Sequence, residues 1–170
     1  MYLIISGTNR AGSNTLKVAK EYQRILKEKS VDSVLLSLEA LNLLKRDADF
    51  EKIENELIIP FQHYIFISPE YNGSFPGALK LLFDTGKTHA LWWHKKALLT
   101  GVSTGRAGNL RGMDHLSDVL NHVKVMVHHN KLPISTVDKL MDAEGHFTDA
   151  STLKAINGQL DEFINWTSGQ

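Results

Sequence analysis

The sequence contains no cysteine. That excludes a disulfide framework, a thiolate-ligated zinc or iron–sulfur centre, and any thiol nucleophile or dithiol couple. If this chain moves electrons, a bound cofactor has to carry them. It also has no excess of charge: 19 Lys and Arg balance 19 Asp and Glu. A general polyanion binder needs clustered cations that displace counterions from a phosphate backbone, so nucleic acid is not an expected partner. Long apolar runs are missing too. None approaches the ~20 residues that cross a bilayer, and Met1 to Ser6 enters an apolar stretch with no basic flank and no small-residue cleavage site. The expectation is a cytoplasmic protein with no signal peptide and no membrane insertion. Its 170 residues suffice for one hydrophobic core without staples, so residues 1–170 read as a single domain.

What the chain does have is alternation. Tyr2 to Ser6 is a short apolar run ended by Gly7, too brief for a helix and bounded by turn residues. From Asn14 to about Lys29, Leu16, Ala19, Tyr22, Ile25 and Leu26 recur at helical spacing, with Lys and Glu on the other face. The same rhythm predicts strands over Ser33 to Leu38, Tyr64 to Ser68, Ala97 to Ser103 and Val123 to Val127. It predicts helices over Phe50 to Ile59, from Pro76, over Leu110 to Asn121 and over Ser151 to Trp166. Lys131 to Phe147 reads as irregular. Five buried strands separated by helices make a parallel sheet covered on both faces, a three-layer α/β sandwich. The count fits the flavodoxin-like strand order 2-1-3-4-5 better than a six-stranded dinucleotide fold. Ligands of such sheets bind beyond the carboxyl ends of the strands, which directs attention to three loops.

The first loop, Gly7 to Thr15, runs straight into a helix. Outward-pointing amides at a helix start, hydroxyls from Thr8, Ser13 and Thr15, the amide of Asn14 and the guanidinium of Arg10 suit a phosphate. Gly7 and Gly12 have P-loop spacing, but Ser13 and Asn14 stand where Lys and Ser or Thr should follow. A nucleoside triphosphatase is therefore not expected, and one monophosphate fits. Simple capping of the helix by Ser13 or Asn14 is the alternative reading. The second loop reads Pro69, Glu70, Tyr71, Asn72, Gly73, Ser74, Phe75, Pro76. Its prolines and glycine specify a shaped backbone edge that can face a planar heterocycle, while Glu70 and Tyr71 suit a surface pair equally well. The third loop, Ser103, Thr104, Gly105, Arg106, Ala107, Gly108, is another polar glycine-rich turn.

Together these loops resemble the NADPH-dependent FMN reductase family, flavodoxin-like flavoproteins that include quinone, azo-dye and chromate reductases. The likeness runs from Tyr2 to about Pro133. Gly7, Thr8, Asn9, Arg10, Ser13, Asn14 and Thr15 are similar to that family's FMN phosphate loop. Pro69 to Ser74 with Pro76, Gly77, Ala78, Leu79 and Lys80 are similar to its isoalloxazine segment, and Ser103 to Gly108 to the loop on the flavin's other side. One departure is that Thr85 and Gly86 follow Asp84 where members often carry an aromatic; another is the His-rich stretch Lys87 to Lys96.

The resemblance implies an enzyme in which NADPH or NADH gives a hydride to bound FMN and a quinone, azo compound, metal oxyanion or free flavin then takes the electrons. It implies chemistry on the flavin with no catalytic side chain, and a homodimer or homotetramer. The cofactor-binding residues it implies are Thr8, Arg10, Ser13, Asn14, Thr15, Pro69, Glu70, Tyr71, Asn72, Gly73, Ser103, Thr104, Gly105 and Arg106. A non-enzymatic electron carrier or redox sensor is the alternative, but carriers of this fold tend to be acidic to dock on basic partners, and this chain is neutral. No pair among the eight histidines has the i, i+4 spacing of a helical zinc site, so no metal is expected. Trp92 and Trp93 are expected at a subunit contact.

Overall fold

Tyr2–Ser6 forms β1, and all of it is buried. An unbroken apolar run is what a strand covered on both faces requires. A polar loop then leads into α1 (Asn14–Glu28), whose stripe of Val18, Ala19, Tyr22, Ile25 and Leu26 is buried. The computed structural model, which describes residues 1–39 and 41–169, continues with β2 (Ser33–Ser37), α2 (Ala48–Ile53), β3 (His63–Pro69) and α3 (Gly77–Thr85). Then follow α4 (Thr88–Trp92), β4 (Lys96–Val102), α5 (Leu110–His122), β5 (Met126–Val127), β6 (Leu132–Ile134) and α6 (Ala150–Ser168).

The strands lie in the order β2-β1-β3-β4-β5, with β6 also paired to β4, and every pairing is parallel. This is the flavodoxin-like order. Because successive strand residues point to opposite faces, neighbours in sequence enter different cores. Leu3, Ile5, Tyr64, Phe66 and Leu99 share one cluster with α3, α4 and α5. Tyr2, Ile4, Ile65, Ile67 and Leu98 share the other with α1 and α6. No helix among the described residues is long and apolar enough to cross a membrane.

The fifth position of the sheet departs from the sequence expectation. Val123 closes α5, Lys124 takes a left-handed conformation with φ 59°, and Val125 N–H donates to Leu120 O at 2.9 Å. The ladder therefore begins only at Met126. β5 pairs with Lys96 and Ala97, the chain forms a bulge at 128–131, and β6 returns to pair with Thr100, Gly101 and Val102. The sheet thus has six strands where five were expected, the sixth inside the stretch read as irregular. Pro133 hides it, since proline argues against a strand everywhere except at an edge. Gln159 of α6 fills the gap, its Nε2 donating to Leu99 O at 3.0 Å and Asn130 O at 2.9 Å. Its Oε1 accepts from the Tyr22 hydroxyl at 2.7 Å and from Thr100 Oγ1 at 3.1 Å.

Two more expectations need correction. The helix expected over Phe50 to Ile59 starts at Ala48, capped by Asp47, and passes into a π-helical turn at Glu54–Ile58. The carboxylate of Glu54 is buried there and accepts from Arg46 Nε at 2.7 Å and Lys87 N–H at 2.8 Å. Trp92 does not sit at a subunit contact. It is wholly buried on α4, with ring centroids 4.7 Å from Phe83 and 5.5 Å from Tyr64. Trp93 is half-buried, and Lys124 Nζ lies 3.4 Å from the centre of its ring.

Candidate functional site

The carboxyl ends of β1, β3 and β4 are neighbours in this order, so the loops that leave them meet. They enclose a groove of about 480 Å³ lined by Arg10, Ala11, Ser13, Asn14, Thr15, Pro69, Glu70, Tyr71, Asn72, Val102, Ser103, Thr104 and Val137. That volume is in the range of small-molecule and cofactor sites.

At one end of the groove, Ser13 is the N-cap of α1, and its Oγ accepts from Leu16 N–H at 3.1 Å. Ser13 rather than Asn14 thus caps, and Asn14 and Thr15 become the first helical residues. Their amides have no acceptor within the helix and carry its positive end. Arg10 is exposed, with its guanidinium 4.2 Å from the centre of the Tyr71 ring. Thr8 is buried and does not line the groove; it lies beneath it, with its Oγ1 2.6 Å from the Tyr71 hydroxyl.

The opposite wall is a hairpin built on Asn72 and Gly73. Tyr71 N–H donates to Ser74 O at 2.8 Å and Ser74 N–H returns to Tyr71 O at 3.1 Å. Both central residues have positive φ, 52° and 76°, as a two-residue turn of type I′ demands and as Asn-Gly is best suited to supply. Such a turn leaves the amides of Asn72 and Gly73 outside its own ladder. Gly73 itself stands back from the groove, against Arg111, whose Nη1 is 3.0 Å from where a Cβ would be. Glu70 N–H donates to Val102 O at 2.9 Å, which ties this wall to the end of β4.

The floor comes from the third loop. Ser103 Oγ bonds Gly105 O at 2.8 Å and Gly108 N–H at 3.0 Å, drawing the loop into a ring. Ser103 and Thr104 line the groove, whereas Gly105 and Arg106 are exposed outside it. Ten of the fourteen residues expected from sequence therefore line one groove. Thr8 and Gly73 support its walls, and Gly105 and Arg106 lie beyond its edge.

Sequence reading missed Asn109. This buried residue holds a left-handed conformation at the cap of α5, and its Nδ2 donates to Ser68 O at 2.9 Å and Pro69 O at 3.0 Å. It fastens the second loop to the third. The signal was present in Gly108-Asn109 directly before an apolar helical period. Ala11, Val102 and Val137 were missed as well, since small apolar lining residues carry no motif.

Behind the first loop, the buried carboxylate of Glu21 receives Arg24 Nε at 2.8 Å and Arg24 Nη2 at 2.7 Å, and His146 Nδ1 lies 3.0 Å from it. Burial acts to raise the Glu21 pKa, but hydrogen bonds from Arg24 and His146 outweigh it and hold the group below its ordinary value. The hydrogen bond to Glu21, with the attraction of its charge, pushes His146 above its own. The segment around Gly145 is thereby tethered to the helix that starts at the groove.

A groove with a helix start, hydroxyls and a guanidinium at one end and a rigid backbone edge at the other fits FMN. The donors suit its phosphate and the flat hairpin edge suits its ring system. Fold and groove together define a flavodoxin-like protein with a groove of the size and chemistry that a flavin nucleotide asks for.

Comparison with known proteins is specific about the kind. The NADPH-dependent FMN reductase family matches residues 2–139. A 2-hydroxy-1,4-benzoquinone reductase of Burkholderia sp. is 25% identical over 127 residues, 71% of this chain and 69% of the relative. An NAD(P)H-dependent FMN reductase of Pseudomonas aeruginosa is 30% identical over 105 residues, 60% of this chain and 57% of that one. Among solved structures, FerB, a flavoenzyme NAD(P)H:(acceptor) oxidoreductase of Paracoccus denitrificans, superimposes with a TM-score of 0.81 at 25% identity, covering 99% of this chain and 96% of FerB. The flavodoxin of Megasphaera elsdenii shares the fold, with a TM-score of 0.58 at 14% identity over 95% of this chain and 99% of that one. The chain belongs to the NADPH-dependent FMN reductase family. It is an oxidoreductase whose cofactor is FMN and whose hydride donor is NAD(P)H.

Proposed function

We propose that FMN lies in the groove between the three loops and that the protein reduces a quinone-type acceptor with NAD(P)H. The observation that carries this reading is the convergence of Arg10, Ser13 and Thr15 with Tyr71 and Asn72 of the hairpin on one groove. When bound there, FMN supplies the redox chemistry, accepting a hydride from NAD(P)H and giving its electrons to the acceptor. The protein's part is binding and orientation.

The amides of Asn14 and Thr15 and the charge of Arg10 hold the phosphate. The free amide of Asn72 presents a donor to the polar edge of the ring, and Asn109 fastens that loop to the third. Donor and acceptor occupy the groove in turn, which gives ping-pong kinetics. A planar quinone suits a flat stacking face, and the relative in Burkholderia acts on a benzoquinone by its name. The two cores share one sheet, which supports a single domain over 1–170. A homodimer or homotetramer completes the proposal.

The test is spectroscopic. Purified protein mixed with FMN and desalted should retain flavin absorbance, bleach on anaerobic addition of NADPH, and recover on addition of a benzoquinone. Retained flavin that NADPH leaves oxidised would identify a carrier or sensor instead, and flavin that fails to bind even on titration would overturn the site.

A further inference from the structure

The bulge that breaks the fifth strand carries two adjacent histidines, and α6 passes beside it. His128, His129 and Glu162 each offer one ligand atom, and these atoms lie within 4.8 Å of one another. No other group of three or more His, Asp or Glu side chains among the described residues is so arranged. We propose that this cluster is a binding site for a late first-row divalent cation of the Zn²⁺ type, joining the bulge to α6.

Two imidazoles and a carboxylate are a ligand set that zinc accepts, with water completing a tetrahedron. Ligand atoms about 2.0–2.1 Å from a tetrahedral ion sit roughly 3.4 Å apart. His129 Nε2 and Glu162 Oε2 are already at 3.8 Å, with side chains 85% and 51% exposed and so free to close the remainder. His128 is 4% exposed and its ring is held in place on Trp166, with centroids 5.3 Å apart; its Nδ1 accepts from Asn130 N–H at 3.3 Å, a long contact that the imidazole gives up when its lone pair goes to the cation. Glu162 is also oriented. Asn130 Nδ2 donates to its Oε2 at 2.9 Å, the kind of outer contact that holds a metal carboxylate in place. The three residues open onto a concavity of about 470 Å³ shared with Val127, Asn165 and Trp166, room for the ion and its water.

Position argues for a structural role. His128 N–H donates to Ala97 O at 2.8 Å, near the start of β4, whereas the flavin loops leave the other ends of the strands. Gln159 already pins the bulge at Asn130 O. An ion at Glu162, one helical turn further along α6, would pin it a second time where the ladder is interrupted.

The experiment uses the full chain, untagged and loaded with FMN, stripped of metal by a chelator and titrated calorimetrically with ZnCl₂. One ion per chain is expected, with a higher melting temperature in its presence. His129→Ala and Glu162→Gln should each weaken binding at least tenfold, while His89→Ala, which alters an exposed histidine elsewhere, should not. Absence of saturable one-to-one binding, less than tenfold weakening in either cluster variant, or an equal effect of His89→Ala would each overturn the proposal.

Discussion

Thr8 Oγ1 lies 2.6 Å from the hydroxyl of Tyr71, across 63 residues of sequence. One hydrogen bond thus joins the loop after β1 to the loop after β3 beneath the groove. The same phenol ring carries the guanidinium of Arg10 on its face at 4.2 Å, so one side chain of the second loop holds two residues of the first.

Tyr71→Phe keeps the ring beneath Arg10 and removes only the bond to Thr8. A loss of about 1 kcal/mol is expected, roughly a fivefold rise in the Kd for FMN, read by quenching of flavin fluorescence. Tyr71→Ala also loses the cation–π contact and should weaken binding further. Unchanged affinity in both variants would remove Tyr71 from the site.

Arg10→Ala should cost about 1 kcal/mol or more of FMN binding, because a charge-assisted contact to phosphate is lost. Riboflavin has the same ring system and no phosphate, so its affinity should not move. Equal losses for the two ligands would place Arg10 at the ring end.

Gly101→Ala tests how closely the third loop packs on β4. A Cβ at Gly101 would sit 2.1 Å from Gly108 O and 3.1 Å from Asn109 Cβ, and backbone cannot yield as a flexible side chain can. The expected cost is about 1–3 kcal/mol, a fall of roughly 2–4 °C in melting temperature for each kcal/mol. FMN affinity should fall with it, since Asn109 is displaced.

Gln159→Leu removes the bridge across the interrupted strand. Leu99 O loses a buried partner, at about 1–3 kcal/mol for a group left unsatisfied, while the Tyr22 hydroxyl keeps Thr100 Oγ1 at 2.9 Å. A thermal melt should show a fall of several degrees, with FMN affinity little changed because the bridge is remote from the groove.

Glu21 and His146 predict a pH window. The pKa of Glu21 is lowered from an ordinary 4.5, so its contribution is complete above that value and is lost as pH falls through the folded pKa. The pKa of His146 is raised from 6.5, so its contribution is complete below that value and is lost as pH rises through the folded pKa. The tether of the segment around Gly145 is therefore strongest between about pH 4.5 and 6.5. Limited proteolysis should cut that segment slowly in this window and faster at pH 8, and His146→Ala should abolish the difference.

The layers and strand order were legible because they rest on strong local signals. The apolar runs at Tyr2, Tyr64 and Ala97 are too short for helices, and the stripe of α1 is strictly periodic. The groove was legible for the same reason, since its parts follow directly from the strands that set them side by side. What escaped depends on distant partners. Nothing local to Leu132, Pro133 and Ile134 announces that Thr100 to Val102 offers them an open edge. Glu54 looks like any helical surface acid until Arg46 and Lys87 enclose it. Trp92 looks exposed in a His-rich stretch, and only the arrival of Phe83 and Tyr64 makes it core. Asn109 acts through carbonyls forty residues earlier.

The placement of the three tryptophans gives the protein its own optical reporters. Trp92 belongs to the core beneath α3, α4 and α5, and its indole N–H has no hydrogen-bond partner among the described residues; its emission should lie far to the blue. Trp166 packs against the core beneath α1 and α6, and Trp93 stands half-buried under Lys124. Chains retaining one tryptophan each would let the two layers be followed separately as the sheet comes apart, and would show whether they separate together or in turn.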